Sequence, residues 1–286
     1  MKVSKKTRLE DKVNEMIEKY KKVMVTSDYH IPYQNNDAVE ITKRFAKDYK
    51  PDVFVINGDF LDLYRVSKFD KDPERKYTVA DEISKGRRLL KALRKTLGSK
   101  TEMYFLEGNH ENRMQKFLWR NPELDGLSDL KVENLLRLKD YGIKYIGVDH
   151  DYWSTLTGHL KTGDTLIMHG DARLNGASLS KYAGYSVKNT MLGGVQQNVI
   201  IGHNHRLAQI HHRTPYALLK GAEGGCLCKL PGNVNWQNGF VTYELIGDKM
   251  VNLRTHLIED NKLYNNDWVY ESVNLEKTRR AKRKKR

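Results

Sequence analysis

In the segment EMYFLEGNHE, residues 102–111, a short apolar run leads directly into Gly108-Asn109-His110-Glu111, and the fold can be inferred outward from it. Residues 102–106 have the length and apolar content of a buried strand, and the glycine that follows predicts a turn. Alone, a Gly-Asn-His-Glu sequence indicates little about function. Its meaning depends on whether other predicted strands end in residues of the same chemistry.

Two earlier segments show the same pattern of a buried strand followed by a polar loop. Residues 23–26 run into Asp28-Tyr29-His30, and residues 53–56 run into Asn57-Gly58-Asp59. Helices are predicted between the strands, at about 37–49 before Pro51 and at 79–97 before Gly98. This alternation predicts a parallel α/β sheet, in which the carboxyl ends of the strands share one edge and their loops converge.

The second half of the chain is predicted to be mostly β. Residues 112–142 are irregular and are interpreted as a helical insertion near the site. Short strands are predicted at 143–148, 152–157, 164–168, 198–201, 207–211, 216–220, 240–245 and 250–257, with one helix at 178–191 closed by Gly193-Gly194. His169-Gly170 and Gly202-His203-Asn204-His205 each follow one of these strands. The expected fold is therefore α/β, with two sheets packed face to face and helices outside.

The net charge of +14 is concentrated at the two ends of the chain. Residues 277–286 contribute +8 and residues 1–22 contribute +4, which leaves +2 for residues 23–276. We expect a basic, amphipathic helical arm over 1–22, a catalytic domain over 23–258, and an extension over 259–286 that ends in a disordered basic tail. Such runs bind phosphate backbones without reading sequence, so nucleic acid is the expected partner. A solubility tail and a nuclear-targeting signal are the alternatives.

Composition excludes several classes of protein. No run of eighteen apolar residues is present and the N-terminus lacks the apolar core of a signal peptide, so a cytoplasmic protein without membrane association is expected. Cys226 and Cys228 form a single C-x-C pair, which argues against a thiolate zinc site or a disulfide framework. They are interpreted as two reduced thiols. The compact basic chain resembles a phage or prophage product.

Taken in order, the motifs resemble those of the calcineurin-like metallophosphoesterases. They are D-x-H at 28–30, G-D-x-x-D at 58–62, G-N-H-E at 108–111, H-G at 169–170 and G-H-x-H at 202–205. Each motif is common alone, whereas five in this order are specific. The resemblance implies a two-sheet α/β fold carrying a two-metal centre that hydrolyses phosphoesters.

The resemblance also assigns the ligands of two divalent cations. It implies Asp28, His30 and His205 for the first ion, Asp59 as a bridge, and Asn109, His169 and His203 for the second. Oxygen and imidazole ligands suit manganese as the first expectation, with iron or zinc as alternatives. Two such cations activate a water as hydroxide in line with phosphorus, and His110 would assist the leaving group as general acid.

Further residues are candidates for supporting roles. Asp62 is expected either to orient a metal ligand or to cap a helix or loop. Glu111 and Arg113 match the G-N-H-E-x-R of the Ser/Thr phosphatases, but Glu107 stands where those enzymes have an arginine. The paired G-H-x-H is more similar to the nuclease and cyclic-phosphodiesterase branches. The candidates for phosphate contacts are Arg113, Arg173, Lys181 and Arg206.

Three functions remain open from the sequence. The first is a phosphodiesterase acting on nucleic acid or nucleotides, favoured by the paired histidines and the basic arms. The second is a phosphomonoesterase acting on protein or small molecules, favoured by Glu111 and Arg113. The third is a nucleic-acid-binding protein with a vestigial metal site, and the complete ligand set argues against it.

Overall fold

A computed structural model describes residues 20–124, 126–148, 158–171, 182–265 and 268–272 of the chain. The predicted strand at 152–157, the basic tail and nearly all of the N-terminal arm lie outside these residues. Within them, β1 already begins at Tyr20, inside the range predicted as the arm.

The described residues form thirteen strands and five α-helices. In chain order the strands are β1 (Tyr20–Thr26), β2 (Val53–Asn57), β3 (Glu102–Leu106), β4 (Ile143–Ile146), β5 (His159–Thr162), β6 (Thr165–Met168), β7 (Asn198–Ile201), β8 (Leu207–Arg213), β9 (Leu218–Gly224), β10 (Asn238–Ile246), β11 (Lys249–Ile258), β12 (Lys262–Asn265) and β13 (Trp268–Glu271). The helices are α1 (Asn36–Tyr49), α2 (Val79–Leu97), α3 (Asn112–Arg120), α4 (Val132–Leu135) and α5 (Tyr185–Thr190).

Two mixed sheets carry the fold. The first has the order β11-β10-β1-β2-β3-β4, with β1 to β4 parallel and β10 antiparallel to β1. The second has the order β5-β6-β7-β9-β8, with β6, β7 and β9 parallel. A separate hairpin is formed by β12 and β13. The predicted parallel arrangement of the first three strands is confirmed.

The sheets pack face to face and helices cover their outer faces. Val25 and Val55 of the first sheet share one buried cluster with Ile167 and Ile200 of the second. The opposite face of the first sheet packs on α1 and α2, and the outer face of the second packs on α5. Both faces of β2 are therefore covered, which explains why all five of its residues are buried and why only the last one, Asn57, is polar. The expected two-sheet α/β sandwich flanked by helices is confirmed.

Local sequence signals define the two long helices. The Asn35 side chain accepts hydrogen bonds from the backbone N–H groups of Asp37 and Ala38 at the start of α1. Thr78 and Asp81 form a capping box at the start of α2, which ends at Gly98. These caps satisfy backbone donors that the helices leave unpaired, so both helices match the predicted ranges within one residue.

Elsewhere the structure differs from the sequence prediction. The strands β5, β12 and β13 were not predicted, because each has four residues and a mixed polar composition. The helix predicted at 178–191 includes α5, but a π-helical turn, Met191–Val195, continues beyond the predicted end. The hairpin of β12 and β13 packs on α1, where the rings of Tyr270 and Phe45 are 5.6 Å apart.

Among the described residues, no helix is long and apolar enough to cross a bilayer.

The strand ends that matter for function meet at one edge of the sandwich. β1, β2 and β3 are parallel neighbours, as are β6 and β7, so their carboxyl ends lie side by side in each sheet. The side-chain Nδ2 of Asn57, the last residue of β2, donates to the Met168 carbonyl at the end of β6 over 2.8 Å. This bond joins the two sheets at the edge where the five polar loops emerge.

Candidate metal centre

Backbone hydrogen bonds hold the loops that carry the predicted ligands against one another. The N–H of Asp28 donates to the Gly58 carbonyl over 3.1 Å, and the N–H of His30 donates to the Asp59 carbonyl over 2.9 Å. In the second sheet, the N–H of Gly202 donates to the His169 carbonyl over 3.0 Å. The ligand loops are thus positioned by the backbone and do not depend on the ligand side chains alone.

Many of the ligand residues have a left-handed backbone conformation. This group consists of Asp28 (φ 56°), His30 (φ 48°), Asp59 (φ 50°), His203 (φ 66°) and His205 (φ 58°). Asp and His tolerate this region better than most residues, but it still costs about 1–2 kcal/mol per residue. Such strain at five ligand positions is typical of a functional site whose surroundings impose its geometry.

Two glycines allow the loops to approach this closely. A Cβ at Gly108 would lie 2.3 Å from both the backbone N and the Oδ1 of Asp59. A Cβ at Gly58, where φ is +78°, would lie 2.5 Å from Nδ1 of His169. Any larger residue would push the bridging carboxylate or the histidine away, so the motifs require glycine at both positions.

The first set of donor atoms converges on a single point. Nε2 of His205 lies 3.0 Å from Nε2 of His30 and 3.1 Å from Oδ1 of Asp28. Oδ2 of Asp59 lies 3.7 Å from Nε2 of His30. The other Asp28 oxygen, Oδ2, accepts a hydrogen bond from the N–H of His203.

The second set surrounds Nε2 of His169. This nitrogen lies 3.2 Å from Oδ1 of Asp59, 3.2 Å from Oδ1 of Asn109 and 3.3 Å from Nδ1 of His203. Nδ1–H of His169 donates to the Asn57 carbonyl over 2.9 Å, which leaves Nε2 unprotonated in the neutral ring. Asp59 therefore directs one oxygen toward each set of donor atoms.

The donor atoms fit two cations. Ligand atoms bound to one ion at about 2.0–2.2 Å lie roughly 3–3.5 Å from one another, and the closest distances in both sets fall in that range. Oδ1 of Asp28 is buried and faces the ring nitrogens of His205 and His30, at 3.1 Å and 3.8 Å, a position in which it could bind an ion together with them. The structure brings all seven predicted ligand residues into these two sets.

Buried charges control the protonation of the ligands. Burial alone would lower the pKa of His205, but the Asp28 carboxylate raises it to about 9. Burial opposes ionisation of Asp59, yet the nearby charge of His169 holds its pKa well below the usual range. In the metal-free protein, protonated imidazoles therefore neutralise the carboxylates, and a bound cation would take over that role.

His110 lies at the solvent-facing side of the centre with Asn109 and His203, all of them half-buried. Its Nδ1–H donates to the backbone carbonyl of Asp62 over 2.9 Å, and its Nε2 accepts from Nη2 of Arg113 over 2.8 Å. Burial lowers the pKa of His110, so the ring is neutral in this arrangement. Nε2 also lies 3.7 Å from Oδ2 of Asp59.

Asp62 and Glu111 organise the surroundings of the ligands. Oδ1 of Asp62 lies 3.3 Å from Nδ1 of His110 and 3.7 Å from Nδ1 of His30, so the carboxylate faces two imidazoles. Glu111 accepts backbone hydrogen bonds from Asp59, Leu61 and Gly108 at 2.9–3.0 Å. Burial, followed by the charge of Asp59, raises the pKa of Glu111 to about 7.

The structure describes two of the four residues that were predicted to contact phosphate. Arg113 lies beside His110, and Arg206 directly follows the ligand His205 and is half-buried. Arg173 and Lys181 lie outside the described residues. The contact predicted for these two side chains remains a prediction.

Two neighbours of His205 were missed by the sequence interpretation. Cys226 and Cys228 are free and buried, and their sulfur atoms lie within 4.8 Å of a ring nitrogen of His205. Hydrogen bonding from Cys226, partly opposed by burial, lowers the pKa of Cys228 to about 5, and His205 contributes to the shift. The Trp236 ring lies edge-on to His205 at 4.0 Å. The C-x-C pair was the available signal, but nothing local related it to a histidine twenty residues earlier.

Comparison with known proteins identifies the family. The sequence profile of the calcineurin-like phosphoesterases matches residues 21–236, a range that includes every ligand loop. The chain therefore belongs to the calcineurin-like phosphoesterase family, which the motif order had indicated. Membership implies divalent cations, and the two sets of donor atoms are candidate sites for them.

The individual relatives have low sequence identity to this chain. The chain is 25% identical to the Gene 54 protein of Mycobacterium phage L5 over 243 residues, covering 79% of this chain and 90% of that protein. The Gene 54 protein of Mycobacterium phage D29 is 26% identical over 236 residues, covering 77% and 87%. Among solved structures, Pseudomonas putida nuclease MPE is similar with a TM-score of 0.35 and 12% identity, covering 87% of this chain and 86% of that one.

Proposed function

We propose that the protein is a dinuclear-metal-dependent phosphoesterase that hydrolyses phosphodiester bonds in nucleic acid or nucleotides. The observation that carries this proposal is the position of Asp59, whose two carboxylate oxygens face two separate sets of buried donor atoms. A carboxylate in that position can hold two cations together. The paired His203 and His205 favour a diester substrate, because the family resemblance associates this pair with nucleases and phosphodiesterases.

The chain's own residues have distinct roles in this proposal. When bound, the two cations supply a nucleophile at neutral pH and neutralise developing negative charge. Substrate approaches the side formed by Asn109, His110 and His203, because the remaining ligands are buried. Arg113 moves from His110 to a non-bridging phosphate oxygen, a stronger acceptor than a neutral imidazole.

That movement prepares His110 for proton transfer. Once Nη2 of Arg113 leaves, Nε2 of His110 is free to take a proton from solvent, and the Asp62 carboxylate, whose Oδ1 lies 3.3 Å from Nδ1, favours the imidazolium. The Asp62 carbonyl keeps the ring in place through Nδ1–H. His110 then donates the Nε2 proton to the departing alkoxide oxygen.

The test is a comparison of substrates with the full chain. Mn²⁺-dependent hydrolysis of bis-p-nitrophenyl phosphate, p-nitrophenyl phosphate, and labelled single- and double-stranded DNA and RNA would be measured side by side. We expect turnover of the diester and of at least one polymer. Turnover of the monoester alone would contradict the diesterase proposal. It would favour a phosphomonoesterase, the alternative that the match of Glu111 and Arg113 to the phosphatase motif supports.

We also propose that the basic ends bring nucleic acid to the site. Residues 277–286 carry eight positive charges, which favours counterion release from a phosphate backbone. Deleting these residues should weaken polymer cleavage at moderate salt and leave hydrolysis of the small diester unaffected.

The phage origin of the Gene 54 relatives supports the expectation of a phage or prophage protein.

A further inference from the structure

Beside the metal centre, residues 64–77 and the end of α3 form a surface of aromatic rings and cations. We call this surface the 64–77 platform and define it by Tyr64, Phe69, Lys71, Arg75, Tyr77 and Arg120. The Phe69 side chain is 56% exposed and that of Tyr77 is 41% exposed. The guanidinium carbon of Arg75 lies 4.1 Å from the centre of the Tyr64 ring. Both the Phe69 and the Tyr77 rings are therefore accessible from solvent.

Two cations of the platform are held by neutral groups. Nζ of Lys71 donates to the carbonyls of Ser67 and Phe69 over 2.6 Å each, and Nη2 of Arg120 donates to the Val66 carbonyl over 2.8 Å. Neither has a carboxylate within 4 Å among the described residues. Desolvation, and then the charges of Arg120 and Arg113, lower the pKa of Lys71, and the charge of Asp70 partly opposes this shift. Such a group of cations is suited to an anionic ligand.

The platform is connected to the centre by a short series of side chains. The guanidinium carbon of Arg113 lies 5.8 Å from the centre of the Phe69 ring. Its Nη2 lies 2.8 Å from Nε2 of His110, and that nitrogen lies 3.7 Å from the bridging Asp59. Only two side chains therefore separate Phe69 from the carboxylate that faces both sets of donor atoms. The platform therefore adjoins the half-buried side of the centre, where His110 lies.

From this arrangement we infer that the 64–77 platform binds a single-stranded nucleic acid beside the scissile phosphate. Phe69 and Tyr77 stack on unpaired bases, and Lys71 and Arg120 bind the backbone phosphates. Every base offers a π-face to an aromatic side chain, whereas the bases of a duplex are already stacked on one another. The inference rests on the proposed function and narrows its substrate to single strands.

The test compares variants of the Mn²⁺-loaded full chain. Phe69→Ala and Tyr77→Ala remove the rings, whereas Tyr77→Phe keeps a ring and should behave as the wild type. Tyr216→Ala is the matched control, because Tyr216 is 97% exposed in the turn between β8 and β9, outside the platform. For each protein, kcat/KM is measured on a single-stranded oligonucleotide, on the corresponding duplex and on bis-p-nitrophenyl phosphate.

We expect each ring deletion to lower kcat/KM on the single strand by about tenfold or more, since a base–aromatic stack contributes roughly 1–3 kcal/mol. Activity on bis-p-nitrophenyl phosphate should stay within about twofold of the wild type, as should both activities of Tyr216→Ala. Lys71→Gln should reduce the salt dependence of oligothymidylate binding, measured by fluorescence anisotropy, by about one unit of slope.

Other outcomes overturn the inference in distinguishable ways. An unchanged single-strand activity in both ring variants means that the rings only pack against the loop. An equal loss on bis-p-nitrophenyl phosphate means that the variants disturb the centre itself, and an equal loss on the duplex means that phosphates alone are recognised. If the wild type hydrolyses no diester, the proposed function fails, and anisotropy with the oligothymidylate still decides whether the platform binds single strands.

Discussion

Asp59 shows how much of the proposed chemistry depends on a single residue. It has a left-handed backbone, its side chain is almost fully buried, and each of its oxygens faces a different set of donor atoms. His110 contacts the same carboxylate but belongs to neither set of predicted ligands. The two residues should therefore separate metal binding from turnover.

Substitution at these two positions is the first test at the residue scale. Asp59→Asn should lose bound Mn²⁺, because an amide has a single oxygen acceptor and no charge to hold two cations. His110→Ala should retain both ions and lose about 10²–10⁴-fold in kcat, the usual effect of removing a general acid. Metal content by mass spectrometry and turnover of a labelled oligonucleotide, whose alkoxide leaving group requires a proton, check both. Equal, full metal content in the two variants would contradict the bridging role.

Glu111 offers a second test at the residue scale. Its carboxylate accepts hydrogen bonds from three backbone N–H groups of two ligand loops, and a glutamine would place its own NH₂ against some of these donors. Glu111→Gln should weaken Mn²⁺ binding by about 10–100-fold. The exposed Glu123→Gln, in the segment 112–142 that follows Glu111, is the control. Titration with a competing chelator measures the affinity, and an unchanged affinity would exclude a positioning role for Glu111.

At the scale of the secondary-structure elements, the site depends on how closely the loops after β2 and β3 approach. These strands are parallel neighbours, and their register brings Asn57 opposite Leu106 immediately before the loops. Gly108 then packs directly against the backbone of Asp59. The loop motifs contain glycine for this steric reason.

The corresponding prediction concerns Gly108→Ala. The added methyl group would lie 2.3 Å from the Asp59 backbone nitrogen, so the loops must separate, at a cost of about 1–3 kcal/mol in the free energy of unfolding. Mn²⁺ content should fall with it. Gly232→Ala is the matched control, because a Cβ at Gly232 would meet nothing within 4 Å. Urea unfolding and metal analysis of both variants test the point, and similar behaviour of the two would refute it.

At the scale of the whole molecule, α1 seals the outer face of the first sheet over a histidine of β11. The His256 ring stacks on Phe240 with centroids 4.7 Å apart, and its Nε2 lies 2.7 Å from Oγ1 of Thr242. Burial, with a contribution from Arg254, lowers the pKa of His256 to about 4. The folded protein therefore keeps this histidine neutral.

The pH dependence of stability follows from His256. In the unfolded chain its pKa is about 6.5, so between about pH 6.5 and pH 4 the unfolded state binds a proton that the folded state does not. Stability is therefore lost as the pH falls through this range, by up to about 1.4 kcal/mol per pH unit. His256→Gln should remove this part of the dependence, whereas the exposed His211→Gln should not. Urea unfolding at several pH values measures the free energy of unfolding of each protein. If this free energy depends on pH in the same way in the wild type and in His256→Gln, His256 is not the source of the dependence.

The elements with strong local signals could be predicted from the sequence. Covered strands such as β1, β2 and β3 appear as short apolar runs, and α1 and α2 carry caps and periodic apolar positions. The sequence also indicated the family and the residues of the candidate ligand set, because each motif directly follows a strand. Short polar strands such as β5 lack a periodic signal and depend on pairing with a neighbour, so they could not be predicted.

Only the tertiary structure decided the geometry of the site. Local sequence does not determine which oxygen of Asp59 faces which donor set, that Cys228 lies beside His205, or that Phe69 lies two side chains from the bridging carboxylate. Those distances join residues far apart in the chain and follow from strand register, sheet packing and the left-handed conformation of the ligand loops. The ligands are therefore readable as residue types in the sequence, whereas the site they form depends on the packing of the two sheets.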